Sequence, residues 1–314
     1  MSTRSITRPP DARADVARRR SRKRVRHNRI VGYLFISPWI IGFLAFALYP
    51  FIASLYYSFT AYDILTPPRW IGLHNYQAMT QDPLFWQSLY NTVFFTVISV
   101  PLSTVVSIAI AMLLNMKVRG LTIYRTIFYL PSVVPLVASS ILWLWLFNPS
   151  FGLLDSFLRL VGLPAPGWLY SEAWVKPALI LMGLWSIGAA IVIYLAGLQG
   201  VPQELYEAAS LEGANNWQRT WHVTLPMISP VILFNVTLGL IGSFQYFTQA
   251  YVMTQGGPNN ASLFFALYLY QQAFQYLHLG YGAAMAWLLF VLILLATLGI
   301  FKSSAKWVYY GGAA

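Results

Sequence analysis

Three carboxylates and one guanidinium gather in a short polar stretch, VPQELYEAASLEGANNWQRTWHVTLPMISP, from Val201 to Pro230. They are Glu204, Glu207, Glu212 and Arg219. No histidine–acid pair, serine triad spacing or metal-ligand spacing accompanies them, so the stretch reads as a contact surface and not as a reaction centre. The four histidines, 27, 74, 222 and 278, are scattered. There are no cysteines, which excludes disulfides, thiolate metal sites and thiol nucleophiles. None of the lysines follows a glycine, so the GxxxxGK phosphate loop is absent. The acids Asp63, Asp82, Asp155 and Glu172 are dispersed, and the catalytic cluster that a membrane-embedded enzyme requires is missing.

The elements that present this stretch are apolar. Of 314 residues 58% are hydrophobic and 9% charged, against about 25% charged in soluble chains. A span needs about 20 mostly apolar residues, and stretches free of Asp, Glu, Lys and Arg predict six: 31–53, 89–115, 122–147, 177–199, 227–250 and 283–301. The expected class is all-α, a polytopic membrane protein. Eleven of the 20 basic residues precede residue 30, and 17 of the 20 fall on the tail's side of the predicted spans. The positive-inside rule therefore predicts both termini in the cytoplasm. Residues 1–29 read as a disordered basic tail that either is attracted to anionic membrane lipid or serves as a topology signal alone, and not as a nucleic-acid contact. The first span is too long for a cleaved signal segment. The expected organisation is a first helix over 30–60, an extracytoplasmic segment over 61–88, a five-helix core over 89–302 and a cytoplasmic tail over 303–314.

Within this plan Val201–Pro230 forms a cytoplasmic elbow. Pro202 suits a first helical turn, Gln203 to Glu212 favour helix, and Gly213 is placed to end it left-handed. Asn215 or Asn216 can cap a second helix before Pro226. Ala208, Ala209 and Ala214 are small enough for a partner to approach the backbone. Pro101, Pro131 and Pro135 should kink or break their helices. The charge-free aromatic segment Phe264–Tyr276 reads as a short helix lying at the outer interface.

Polar and aromatic groups at membrane depth mark a path for solute. Span four carries Trp185, Ser186 and Tyr194; span five carries Asn235, Ser243, Gln245, Tyr246 and Gln249. Helix–helix hydrogen bonding is the competing role for each. The absence of formal charge from Thr220 to Phe301 disfavours a charged solute. An ion-coupled secondary transporter would need an intramembrane acid or base and an inverted repeat, and neither is evident.

Glu207-Ala208-Ala209, three residues, Gly213, nine residues, then Val223-Thr224-Leu225-Pro226 resembles the EAA loop of binding-protein-dependent ABC importer permeases, with Val in place of Ile. Trp70–Tyr76, Arg125–Pro131, Trp145–Pro149, Phe151–Leu154 and Gly256-Gly257-Pro258 resemble further segments of the carbohydrate-uptake type, and of the first permease in the maltose and glycerol-3-phosphate class. Asp155 departs from that pattern, which has Asn. The resemblance implies a type I importer fold and a loop, 200–226, that couples to an ATPase through Glu207, Ala208, Ala209, Gly213, Leu225 and Pro226. It implies as partners a second permease, two ATPase subunits and an extracytoplasmic binding protein, in a bacterial plasma membrane. ATP and magnesium would be bound by the ATPase, with no cofactor in this chain. A sugar or oligosaccharide is the implied solute, with a polyol, glycerol phosphate or other osmolyte as the alternative.

Overall fold

The computed structural model describes residues 31–116 and 119–309. The basic tail, Lys117 and the last five residues lie outside them. The chain divides into two units, Met1–Tyr56 and Tyr57–Ala314. In the first, helix α1 (Val31–Ser58) carries a π turn at Leu44–Leu48 and runs to the junction with the second.

The second unit opens with a small antiparallel ribbon, β1 (Thr60–Ala61) with β2 (Arg69–Trp70), Thr60 facing Trp70. Asp63 shapes its turn, accepting from the Thr66 hydroxyl and amide at 2.7 and 2.8 Å. These bonds, the hydroxyl's first, hold the Asp63 carboxyl below the usual carboxylate range. Helix α2 (His74–Gln81) follows, then α3 (Pro83–Leu114). Asp82 caps α3 by accepting from Leu84 N at 2.9 Å, with Pro83 in the first turn, where its missing N–H costs nothing.

Pro101 does not break α3, which continues unbroken to Leu114. The proline is exposed while Val100 is buried, so the lost bond falls on the outward side of a helix that both its ends hold in place. The other two prolines act as expected. α4 (Leu121–Val133) meets α5 (Leu136–Leu146) at 101°. Val134, caught before Pro135, is extended at φ −69, ψ 129, because the proline ring excludes the helical region for its predecessor.

Among the described residues four helices are long and apolar enough to cross a membrane: α1, α3, α11 (Ser229–Met253, interrupted at Gln245–Phe247) and α13 (Leu279–Ser304). The α4–α5 pair and the pair α7 (Val175–Trp185) and α8 (Gly188–Gln199) meet the test only as bent pairs, the second at 51°. Each predicted span thus has a counterpart, two of them broken. A short helix, α6 (Leu153–Leu160), stands between α5 and α7. Val97 and Val105 at 64%, Trp145 at 65% and Leu295 at 60% remain exposed, which suits lipid or apolar partner surfaces.

The two breaks touch. A Cβ on Gly188 would stand 2.4 Å from Phe128 O and 2.9 Å from Tyr129 Cα. Only glycine allows the start of α8 to lie against the end of α4 this closely. The break at Ser186–Ile187 has no proline and was not expected.

The segment over 264–276 forms α12 (Phe265–Tyr270) and a π turn, Gln271–Gln275. Its first half packs inward, while Phe274 and Tyr276 stay exposed at 61% and 56%. Phe264, Phe265 and Leu267 are fully buried, and Phe264 and Phe265 meet Phe95 and Phe85 edge-on. The aromatic run has enough apolar area to prefer the core. Asp82 fastens this corner: its Oδ2 accepts from Tyr268 at 2.5 Å and Tyr281 at 2.8 Å. A predicted cytoplasmic tail over 303–314 begins as the end of α13, and Tyr309 N donates to Ser229 Oγ at 2.8 Å.

Two apolar clusters result. One joins Phe85 and Phe95 of α3 to the aromatic corner and α7. The other joins Ile108, Ala111 and Leu114 of α3 to Ile191, Tyr194 and Leu198 of α8. The middle of α3 lies between them.

Candidate functional site

The elbow is built as expected. α9 (Gln203–Leu211) ends at Gly213, whose φ is +80. Ala214 N donates to Ala209 O at 2.9 Å and Gly213 N to Ser210 O at 3.1 Å. This pair of bonds closes the helix end on a left-handed residue. Of the two asparagines, Asn215 is the cap. Its Oδ1 accepts from Gln218 N at 2.9 Å, and its N donates to Gln218 Oε1 at 2.8 Å, a reciprocal capping box for α10 (Asn216–Arg219). A π turn, Thr220–Thr224, and a short turn, Leu225–Met227, lead into α11.

The two arms are clasped by Tyr206 Oη and Thr224 Oγ1 at 3.1 Å and by Arg219 Nη1 donating to Ser210 Oγ at 3.1 Å. A cleft of about 350 Å³ remains between them, lined by Ala209, Glu212, Gly213, Ala214, Arg219 and His222 among others. Glu207, Ala208 and Gly213 are exposed and Ala209 is half-buried. Leu225 and Pro226 are half-buried at the root of α11, where Leu225 packs against the second cluster. The motif thus divides into a presented tip and an anchored base. Leu211 at 91%, Trp217 at 69% and Trp221 at 52% exposed add apolar area to the tip.

A second cleft, of about 280 Å³, lies midway along α3, between the two apolar clusters. α3 contributes Phe95, Ser99 and Ser103; α7 and the break beyond it contribute Ile180, Gly183 and Ser186; α11 contributes Gly239, Ser243 and Tyr246. Ser186 and Ser243 donate to Gly183 O and Leu240 O within their own helices, leaving oxygen lone pairs as acceptors. The Tyr246 ring is 4.4 Å from Phe95, and its buried hydroxyl has no hydrogen-bond partner among the described residues.

Of the eight polar and aromatic residues named from the sequence, Ser186, Ser243 and Tyr246 come together here. Trp185 lies in a separate apolar gap of about 230 Å³ with Phe128 and Pro131. Tyr194 is fully buried in the second cluster and packs as core. Asn235 donates to Val231 O at 2.9 Å within its helix. Gln245 is exposed and Gln249 half-buried, and neither lines the cleft. Phe95, Ser99 and Ser103 were missed. Their spacing of four is the signal: two hydroxyls and a ring on one stripe of an otherwise apolar helix.

The sequence profile of the family described as "Binding-protein-dependent transport system inner membrane component" matches residues 103–306. A Bacillus subtilis protein described as probable ABC transporter permease protein YesP is 43% identical over 291 residues, covering 91% of this chain and 94% of its own. The lactose transport system permease protein LacF of Rhizobium radiobacter is 35% identical over 276 residues, covering 85% and 92%. In a crystal structure of a bacterial ABC transporter involved in the import of the acidic polysaccharide alginate, one chain matches with a TM-score of 0.78 at 23% identity, covering 91% of this chain and 99% of that one. That likeness carries the fold. With a mostly helical architecture and long apolar helices, the chain belongs to the binding-protein-dependent transport system inner membrane component family and is an inner-membrane permease subunit of such a system.

Proposed function

We propose that this chain is one of two permeases in an ATP-driven importer of saccharides, with the mid-α3 cleft as its share of the solute path and the elbow as its coupling device. The observation that carries the solute reading is Tyr246. A buried hydroxyl without a partner costs about 1–3 kcal/mol, a cost that a hydroxylated solute in the cleft removes. Phe95 and Tyr246 offer ring faces, and the serines offer acceptors. The lactose permease relative and the alginate transporter support a carbohydrate.

The chain has no Gly-Lys phosphate loop, so ATP and magnesium are assigned to separate ATPase subunits. The elbow tip, with Glu207 free of the clasps, is the surface an ATPase engages. Its two-clasp construction supports rigid-body transmission, and the α7–α8 break, with Gly188 against Phe128 of α4, offers a place for the helices to pivot between inward- and outward-facing states. An extracytoplasmic binding protein delivers the solute.

Tagged protein drawn from its native host should co-purify with an ATPase and a second permease. In liposomes this complex should import sugar only when ATP is present. Tyr246→Phe should raise the half-saturation concentration roughly 5- to 10-fold with the maximal rate less changed. Uptake by the chain alone without ATP would refute the importer reading. Reporter fusions test sidedness: one at residue 215 should report cytoplasm and one at residue 160 the exterior, and the reverse pattern inverts the topology.

A further inference from the structure

Lys176 is a charged residue in the first turn of α7, a helix otherwise apolar from Val175 to Trp185. Its Nζ donates to Asn91 Oδ1 at 2.9 Å and lies 5.4 Å from the Tyr90 ring centre and 5.2 Å from that of Phe94. None of these partners is a carboxylate. A half-buried ammonium is costly unless it is paired or keeps contact with water. One amide oxygen and two ring faces leave much of a three-donor group unsatisfied.

The amine is held in place. Asn91 is fully buried, and its Nδ2 donates to Asn260 O at 2.9 Å and Leu263 O at 3.0 Å. These bonds aim its Oδ1 at Lys176 and tie the amine to the 260–263 loop. The same oxygen accepts from Gln87 Nε2 at 3.3 Å, so Lys176 receives only part of its capacity. Lys176 itself is half-buried and Tyr90 is 59% exposed, which leaves the amine open on one side.

Position links the amine to the cleft. Lys176, Ile180, Gly183 and Ile187 follow one another at spacings of four, three and four, a single helical stripe. The last three line the mid-α3 cleft. Lys176 extends that stripe by about one turn, roughly 6 Å, toward the Pro83 end of α3 and away from the elbow. The cleft's own lining carries no formal charge, and Lys176 is a charge about one turn beyond that lining.

We propose that Lys176, with Tyr90 and Phe94, is an entry subsite for the carboxylate of an acidic saccharide, a uronic-acid unit. The ammonium pairs with the carboxylate, and the rings take the C–H face of the sugar. The proposal rests on the saccharide-importer reading and narrows it. It also revises the expectation of an uncharged solute, which considered only the charge-free stretch from Thr220 to Phe301.

The test uses host cells lacking the chain and complemented with wild type, Lys176→Met or Lys176→Arg. Uptake is measured for mannuronate, galacturonate and glucuronate disaccharides and for the same sugars after carboxyl reduction. Wild type should import at least one acidic disaccharide. Lys176→Met should reduce that uptake at least about 10-fold, and Lys176→Arg should retain most of it. Immunoblots and co-purification should show equal assembly for all three.

Import by wild type of the neutral forms only overturns the subsite and leaves the importer reading standing. Import of no sugar at all fails the importer reading as well. Wild-type acidic uptake by Lys176→Met overturns the subsite, and a loss of phospholipid phosphate from that purified variant would then identify a headgroup as the partner. Loss of assembly in Lys176→Met, restored in Lys176→Arg, would overturn it in favour of a contact with the second permease.

Discussion

Gly213→Val should leave the protein in the membrane and cut its uptake sharply. Gly213 sits at φ +80, a conformation that costs an ordinary residue about 1–2 kcal/mol and a β-branched one more. Valine would withdraw this residue from the left-handed region and break the two bonds that close α9, Ala214 N to Ala209 O and Gly213 N to Ser210 O. Asn215 would then no longer meet Gln218 in register, and the tip bearing Glu207 would swing relative to the base at Leu225 and Pro226. Gly213 lies outside the cleft lining, so the expected loss is in energy transfer and not in solute binding. Uptake should fall at least about 10-fold while membrane content is unchanged. Gly213→Asn, which tolerates the left-handed region, should keep most activity. Normal uptake in Gly213→Val would sink the coupling assignment.

Asp82→Ala should cause the largest loss of stability. One carboxylate caps α3 through Leu84 N and accepts from Tyr268 and Tyr281. Burial, then the hydrogen bond to Asp82, pushes the Tyr268 hydroxyl above its ordinary range, as expected of a phenol that must keep its proton to donate. Losing a cap costs about 0.5–2 kcal/mol, and each bond to a charged group is worth about 1.5–3 kcal/mol. Removal should therefore cost about 4–8 kcal/mol and lower the melting temperature of the detergent-solubilised protein by several degrees. Asp82→Asn keeps an acceptor oxygen and should lose less. A melting temperature in Asp82→Ala equal to wild type would show that the three elements are held by apolar packing alone.

The helix ends illustrate what is legible in a sequence. The elbow follows from local chemistry: Pro202, Gly213 and the asparagine pair act within a few residues of themselves. Only the choice of Asn215 over Asn216 needed coordinates, because it depends on which amide faces Gln218. The spans were legible for the same reason, since a run of apolar residues is a property of composition. Their breaks were half legible. Pro135 forces Val134 to extend, but the bend after Ser186 comes from Gly188 packing against Phe128, some 60 residues away in sequence.

Side-chain roles within the spans were least legible. Tyr194 and Tyr246 are both tyrosines within predicted spans. One fills the cluster of Ile191 and Leu198, and the other borders the cleft. Facing is decided by which helix packs opposite, and a lipid-soluble helix has no polar side to declare it. The same applies to the aromatic run at 264–276, where Phe264, Phe265 and Leu267 are buried while Phe274 and Tyr276 are exposed.

By itself the sequence determined that the chain is a multi-span membrane protein with one acidic elbow, because hydropathy and turn chemistry are local. Tertiary structure alone decided that Ser99 and Ser103 join Ser186, Ser243 and Tyr246 around one cleft, that Asp82 binds two distant tyrosines, and that Lys176 stands above the cleft without a carboxylate. These are meetings between helices far apart in the chain. No residue type or spacing within one helix specifies which neighbour it will meet.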